Sequence, residues 1–356
     1  ADASNINKYT AEAKFLRGYA YFNLVRLYGA VPLLTKVATS NEKELLFTRV
    51  DVAKVYEQIV LDLQEGTTNL DNAHKSRASK AAAQGLLAKV YLTQPTPNYA
   101  GAKQMCEAII NSGDLALETD FRNVFYNELN NEIIFAIQYA SGDPNESQGF
   151  SSEFTSYKRQ GRQDGLNIVN PNLAVDFMNN GGNRTGVSYA AFGDDANLPI
   201  PEDAEVIKFL PLGSDISDTN LPIYGDQPGN AGNDWIILRY SDVLLMHAEA
   251  IMQGNDTNDA NAINSFMKVK VRAGFDAITD RPAVLTVNTL LLERRVELAF
   301  ENHRFFDLLR LGVAHDVLGA HATLKGYTSY NIRRLLLPIP SREINLSEGL
   351  LTQNPQ

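Results

Sequence analysis

Residues 10–28 carry apolar side chains around most of a helical circumference, and no other segment restricts the fold so strongly. Phe15, Tyr19, Phe22 and Val25 form one row at helical spacing, with Leu16, Ala20, Leu24 and Leu27 in a second row beside it. A helix of that kind cannot lie at a protein's edge, so neighbours have to cover it. Three or four bare side chains would cost roughly 1.5–3 kcal/mol each. Gly29 suits a left-handed cap and Pro32 blocks continuation. Only nine residues come before position 10. Cover is therefore expected from a further helical segment preceding this chain, or from residues 316–356 folding back.

Further helices follow. Residues 49–65 place Val52, Val55, Tyr56, Ile59 and Leu63 on one face behind the start signal Thr48/Asp51. Residues 80–93 and 98–111 read as helices, whereas 132–139 alternate like a strand through Ile133, Phe135, Ile137 and Tyr139. Helices return at 236–253, 258–272 and about 288–311, the last ending at Gly312. The tail through Pro338 and Pro340 is extended. The helices pair. Ala248 and Ala260 stand twelve apart, the tetratricopeptide spacing at which small residues let two helices touch; Ala88 and Ala102 repeat it with a longer loop. The expected fold is mostly α, with tetratricopeptide-like helix pairs in an α-α superhelix and one large loop-rich insertion. Residues 1–125 make the first part of the scaffold, 126–234 the ligand-binding insertion, and 235–356 the second part with its tail.

The insertion differs in composition. Half of the 24 glycines fall in 141–234, with many Asn, Asp and Pro. So long a stretch without periodicity signals function or disorder, and its aromatic residues argue against plain disorder. Sugar sites need flat aromatic faces ringed by polar side chains. Tyr157, Arg159, Tyr189, Phe192 and Tyr224 supply that mixture. Trp235, the single tryptophan, stands where the loops meet a helix. It reads as a cap on the core or as a ligand platform. Each such aromatic is more often a packing anchor beneath a loop, and for Trp235 the cap is the favoured reading.

Other chemistries find little support. The net charge of -10 and the lack of a basic stripe argue against nucleic acid. The one cysteine, Cys106, sits in an apolar run and reads as a core thiol. No histidine pair has zinc spacing, and no phosphate-binding or nucleophile-elbow motif occurs. No cofactor and no metal ligand set is expected; Asp194, Asp195, Glu202 and Asp203 are a weak calcium candidate. Glu293, Arg294, Arg295, Glu297, Glu301, Arg304, Asp307 and Arg310 form the densest charge cluster. Glu297 and Glu301 could be an acid–base pair for glycoside hydrolysis. Yet they point the same way along one helix, and arginine neighbours keep carboxylates ionised, which suits an ion-pair lattice better.

Four blocks in order carry a resemblance. They are Ala11–Phe22 continuing to Leu33, Arg239–Ala250, Glu293–Arg310, and the ending Pro338-Ile339-Pro340, Glu343-Ile344, Gln353-Asn354-Pro355. Together they resemble the SusD/RagB family. The resemblance implies a cell-surface lipoprotein of the outer membrane, on its extracellular face. Such a protein captures an oligosaccharide or peptide for a TonB-dependent, SusC-like transporter and has no catalytic residues. It implies an N-terminal lipid anchor, which this chain lacks together with the segment that normally precedes the first signature helix. The competing readings are a glycoside hydrolase and a tetratricopeptide-type scaffold that binds only proteins.

Overall fold

The computed structural model describes residues 3–154, 166–190, 205–214, 229–328 and 335–355. The protein is mostly α and is built of tetratricopeptide-like helix pairs. It divides into two units: Ala1–Met105 with Phe305–Gln356, and Cys106–Arg304.

The first unit starts with α1, Ala3–Tyr28, followed by α2, Lys43–Phe47, α3, Val52–Asn69, and α4, Lys80–Thr93, before α5 begins at Tyr99 and runs to Ser112. α1 begins well ahead of residue 10, so the helix is longer than its apolar pattern. Phe15, Phe22 and Val25 are buried, and α1 packs chiefly on α3, where Phe22 meets Tyr56 edge to face at 6.3 Å. Arg17 grips buried Asp62 of α3 with bonds of 2.6 and 2.7 Å. α3 and α4 approach closely at Gly66, where an added Cβ would lie 2.8 Å from that of Ala83. Ser79 caps α4 by accepting from the Ala82 N–H at 3.1 Å. Ala88 and Ala102 are both fully buried, as their spacing predicts.

The C-terminal stretch folds back onto the end of α1. The last carbonyls of a helix have no partner within it. Here Leu337 N–H donates to the Leu27 carbonyl at 2.8 Å, while Arg49 and Asn354 donate to that of Tyr28 at 2.9 and 3.0 Å. Gly29, at φ 72°, makes the left-handed exit. The cover stops there. In the second row Leu16 and Leu24 remain 55% and 41% exposed, so α1 is buried on one side only. α13, Arg304–Arg310, α14, Ala314–Leu324, and α15, Ser341–Leu346, belong almost wholly to this unit; their labels follow those of the second.

In the second unit α6, Asn123–Tyr126, precedes β1, Ile133–Ile137. The insertion holds α7, Phe150–Phe154, α8, Pro171–Asn180, a turn of 3-10 helix, α9, Thr185–Ser188, and the short pair β2, Tyr189–Ala190, and β3, Glu205–Val206. β4, Trp235–Arg239, then leads without a loop into α10, Tyr240–Met252; α11, Ala260–Arg272, and α12, Val287–Glu297, complete the unit. β1 and β4 are antiparallel, pairing Ile133 with Arg239 and Ile137 with Trp235 around a bulge.

Three sequence expectations need correction. Residues 236–239 are strand, not helix, because β1 pairs with them. The helix expected over 288–311 is broken between Glu297 and Arg304, where Phe300 and Asn302 take left-handed backbone at φ 68° and 61°. In the α10–α11 pair Ala260 is exposed at the helix start; Ala248 is fully buried, and Ala262, Ile263 and Phe266 fill α11's inner face. Cys106 is a buried thiol pushed up by loss of solvent, as a core residue should be. Among the described residues no helix is long and apolar enough to cross a membrane.

Candidate functional site

The broken helix is held by buried charge. Arg239, the last residue of β4, donates to both Glu301 oxygens at 2.8 and 2.9 Å, to Glu132 at 2.7 Å, and to the Glu297 side chain. It also donates to the Glu297 carbonyl at 2.6 Å, a helix-end acceptor without a partner inside the helix that Lys208 reaches as well at 3.4 Å. Lys208 donates to Glu301 at 2.6 Å and to the Ala299 carbonyl at 3.0 Å. Arg184 joins Glu293 at 2.6 Å to Glu297 at 2.8 Å, and Arg272 reaches Glu132 at 2.9 Å and also Glu297. None of these side chains is more than 3% exposed. Four carboxylates thus face four cations away from water, with Lys270 3.5 Å from Glu293 at the rim. Burial works against the Glu301 carboxylate, but Arg239 and Lys208 hold it down at about 2. Burial opposes Glu297 as well, yet Arg272, Arg239 and Arg184 keep it well below the usual carboxylate range. The sequence anticipated the lattice. It did not reveal the partners Arg184, Lys208, Glu132 and Arg272, which come from distant segments.

By fixing residues 298–303, the lattice sets Phe300 and Asn302 on one wall of a cleft. Left-handed non-glycine backbone costs on the order of 1–3 kcal/mol and persists only where surroundings impose it; such residues gather at functional sites. The cleft encloses about 440 Å³ and is also lined by Tyr139, Phe150, Glu153, Asn167 and Trp235. Trp235 opens β4 and is half-buried. Phe150 meets its indole edge-on at 5.1 Å and Phe209 lies against it, tilted, at 5.5 Å. Tyr139 extends this ring cluster at 6.1 Å from Phe150. The bridge between Gln148 and Ala231 holds α7 in place. Aromatic surface beside Glu153, Asn167 and Asn302 provides stacking faces together with hydroxyl partners.

Asp234 adjoins Trp235 and accepts from the Tyr139 N–H at 3.2 Å. Burial pushes its carboxyl up to about 6, helped by Glu128 and opposed by the Tyr139 N–H and Gln138. A raised carboxyl pKa favours folding below the ordinary value of 3.8, and that contribution is lost as pH rises through about 6. Asp234→Asn should therefore gain stability on the native protein between pH 4 and 7, read as diverging urea midpoints. A constant offset would rule out this titration.

Of the residues singled out in the sequence, Trp235 lines the cleft and also caps the aromatic core. Tyr189 packs on Phe177 at 5.4 Å within the β2–β3 pair, as a half-buried anchor. Tyr157, Arg159, Phe192, Tyr224 and the calcium candidates lie outside the described residues. Sequence reasoning missed Tyr139, Phe300 and Asn302. Tyr139, at the end of an alternating strand, carried the one usable signal.

Comparison with known proteins agrees with this architecture. Residues 215–356 match the model of the SusD family, and residues 1–92 match one described as starch-binding associating with outer membrane. SusD-like protein P2 of Formosa agariphila is 27% identical over 99% of this chain and 75% of its own length. A laminarin-binding SusD-like protein superposes with a TM-score of 0.79 at 26% identity, covering 100% of this chain and 80% of its own. A SusD homologue from Bacteroides thetaiotaomicron gives 0.83 at 25% identity with the same coverage, 100% and 80%.

Proposed function

The chain belongs to the SusD/RagB family, and from that premise we propose that it captures an oligosaccharide at the cell surface and passes it to a TonB-dependent, SusC-like transporter. The Trp235 cleft carries the reading. It offers an aromatic platform fixed from behind by Phe150 and Phe209, with amide and carboxylate groups beside it. The laminarin-binding structural relative supports a glycan over a peptide. The family description supports a place at the outer membrane, where we assign the extracellular face and an N-terminal lipid anchor.

A glycoside hydrolase needs two carboxyl groups flanking the scissile bond, one of them protonated. Glu297 and Glu301 are fully buried, ionised and enclosed by arginines, which favours binding without turnover. A scaffold that binds only proteins would have no use for the ring-lined cleft. Calorimetric titration with laminarihexaose, starch oligosaccharides and xyloglucan oligosaccharides should show saturable binding of at least one. Assay of the same mixtures should show no new reducing ends. Failure of the whole panel to bind would remove the glycan reading, and reproducible release of reducing ends would replace it with an enzyme.

A further inference from the structure

The buried lattice leaves one cation over. Glu132, Glu293, Glu297 and Glu301 are matched by Arg184, Lys208, Arg239 and Arg272, so Lys270 is a fifth cation beside four carboxylates. Its contact with Glu293 is long, at 3.5 Å, and Arg184 already holds the other oxygen of that carboxylate at 2.6 Å. Lys270 is only 8% exposed, and among the described residues Nζ makes no shorter polar contact than this one. A lysine so far from water, with so little to donate to, needs a local explanation.

The end of α11 supplies it. Gly274, at φ 93°, closes the helix: its N–H donates to the Val271 carbonyl at 2.9 Å, and the Phe275 N–H to that of Lys270 at 3.2 Å. In a helix stop of this kind the second residue past the cap packs on the third residue before it. Those residues are Phe275 and Lys270, and Nζ lies 3.4 Å over the phenyl centroid. Gly182 clamps the turn, since a Cβ there would lie 2.0 Å from the Ala273 carbonyl oxygen and 3.0 Å from the Phe275 ring. Lys270 thereby borders a cavity of about 270 Å³, with Asn179 and Asn180 of α8, Asp280, and Thr289 of α12 as its other polar lining. That volume is below the range for drug-sized ligands and suits a molecule of a few heavy atoms.

Charge decides what such an amine can do. Burial pushes Lys270 below the ordinary lysine range; Glu293 opposes that, Arg184 reinforces it and Asp280 opposes it. Loss of the proton leaves the lattice balanced, four against four. A bound anion is disfavoured, because Glu293 and Asp280 share the lining. A desolvated neutral amine is instead a nucleophile towards carbonyl carbon. An iminium formed there restores the positive charge where Glu293 and the Phe275 face already meet one.

We infer that Lys270 is a covalent capture site for a small hydroxyaldehyde, held as an imine, with Asn179, Asn180 and Thr289 as partners for its hydroxyl. Nζ attacks the aldehyde carbon and the C–N bond forms; the carbinolamine then loses its hydroxyl as water. Amine, aldehyde and one proton give an iminium and one water, and nothing is oxidised or reduced. Asp280, in the same lining, can carry the proton from nitrogen to the departing hydroxyl. The inference is independent of the glycan reading. The test exposes the whole chain to limiting glycolaldehyde, fixes the imine with cyanoborohydride and maps the modified lysines by peptide mass spectrometry. Lys270 should be labelled on the order of tenfold faster than exposed Lys268, two residues away on the same helix. In urea the two lysines should react alike. Periodate-oxidised dextran, too large for the cavity, should label Lys268 and spare Lys270. Relative to Lys268, glycolaldehyde should outpace acetaldehyde at Lys270 by roughly threefold, and Asn179→Ala at an exposed position should reduce that preference. Equal labelling of the two lysines in the folded chain, an excess that persists in urea, labelling of Lys270 by the dextran, or no preference for the hydroxyaldehyde would each overturn the proposal.

Discussion

Replacing Arg239 by leucine is expected to cost about 3–5 kcal/mol, the range for leaving a buried charge without its partner. The guanidinium engages Glu132, Glu297 and Glu301 together, all of them shut off from water. Leucine fills part of the volume and supplies none of the charge. The pair Lys208–Glu301 and the contacts of Arg184 and Arg272 would remain, so the released carboxylates would lower their cost by taking up protons. The sign of the pH dependence follows. In the native protein Glu301 sits at about 2 against an ordinary 4.5, so its contribution is present above 4.5 and disappears as pH falls toward 2. In the variant the carboxylate loses its strongest cation, and acid should relieve the penalty. Urea midpoints measured from pH 4 to 8 should show the gap between the two proteins narrowing toward pH 4. A cost below 1 kcal/mol, or a gap independent of pH, would mean that the lattice is not what fastens the insertion to α12.

The helical scaffold was legible because its signals are local. Residues 80–93 are bounded by Ser79 and Pro95, and the helix occupies Lys80–Thr93. Strand β4 was not legible as a strand. Ile236, Ile237 and Leu238 run straight into the apolar α10, and an unbroken apolar run has no period to separate the two. The break after Glu297 was hidden for another reason. Residues 298–303 include neither proline nor glycine, and the left-handed turn at Phe300 and Asn302 is held by cations from β4 and the insertion. One clue was available: Lys208 interrupts the apolar run Val206-Ile207-Lys208-Phe209-Leu210, and a lone charge there has to meet a buried partner. The cleft shows the same division. Trp235 could be named from sequence because it is unique, whereas Tyr139, Phe150, Phe300 and Asn302 become neighbours only once β1 pairs with β4 and the lattice closes.

Trp235→Ala is expected to weaken oligosaccharide binding by about 2–3 kcal/mol, roughly 30- to 150-fold, as for a central aromatic anchor. The indole is half-buried, with Phe150 edge-on at 5.1 Å and Phe209 at 5.5 Å, so its position is set before ligand arrives. A fixed ring loses little conformational freedom on binding, and its contact with the apolar face of a sugar is retained nearly in full. Because the same ring caps the core, alanine also removes packing, and a lower melting temperature is expected alongside the affinity loss. Two further variants separate these effects. Trp235→Phe keeps a flat face and most of the packing, and should lose no more than about 1 kcal/mol, near the low end for an aromatic contact. Asn302→Gly removes a cleft amide at φ 61°, a backbone that glycine adopts without strain, so the fold is spared. It should weaken binding by about 0.5–1.5 kcal/mol, the worth of one hydrogen bond. Unchanged affinity in all three proteins, each shown to be folded by circular dichroism, would move the site to the segments carrying Tyr157, Arg159, Phe192 and Tyr224. Loss confined to Trp235→Ala, scaling with its melting temperature, would make the tryptophan a cap and nothing more.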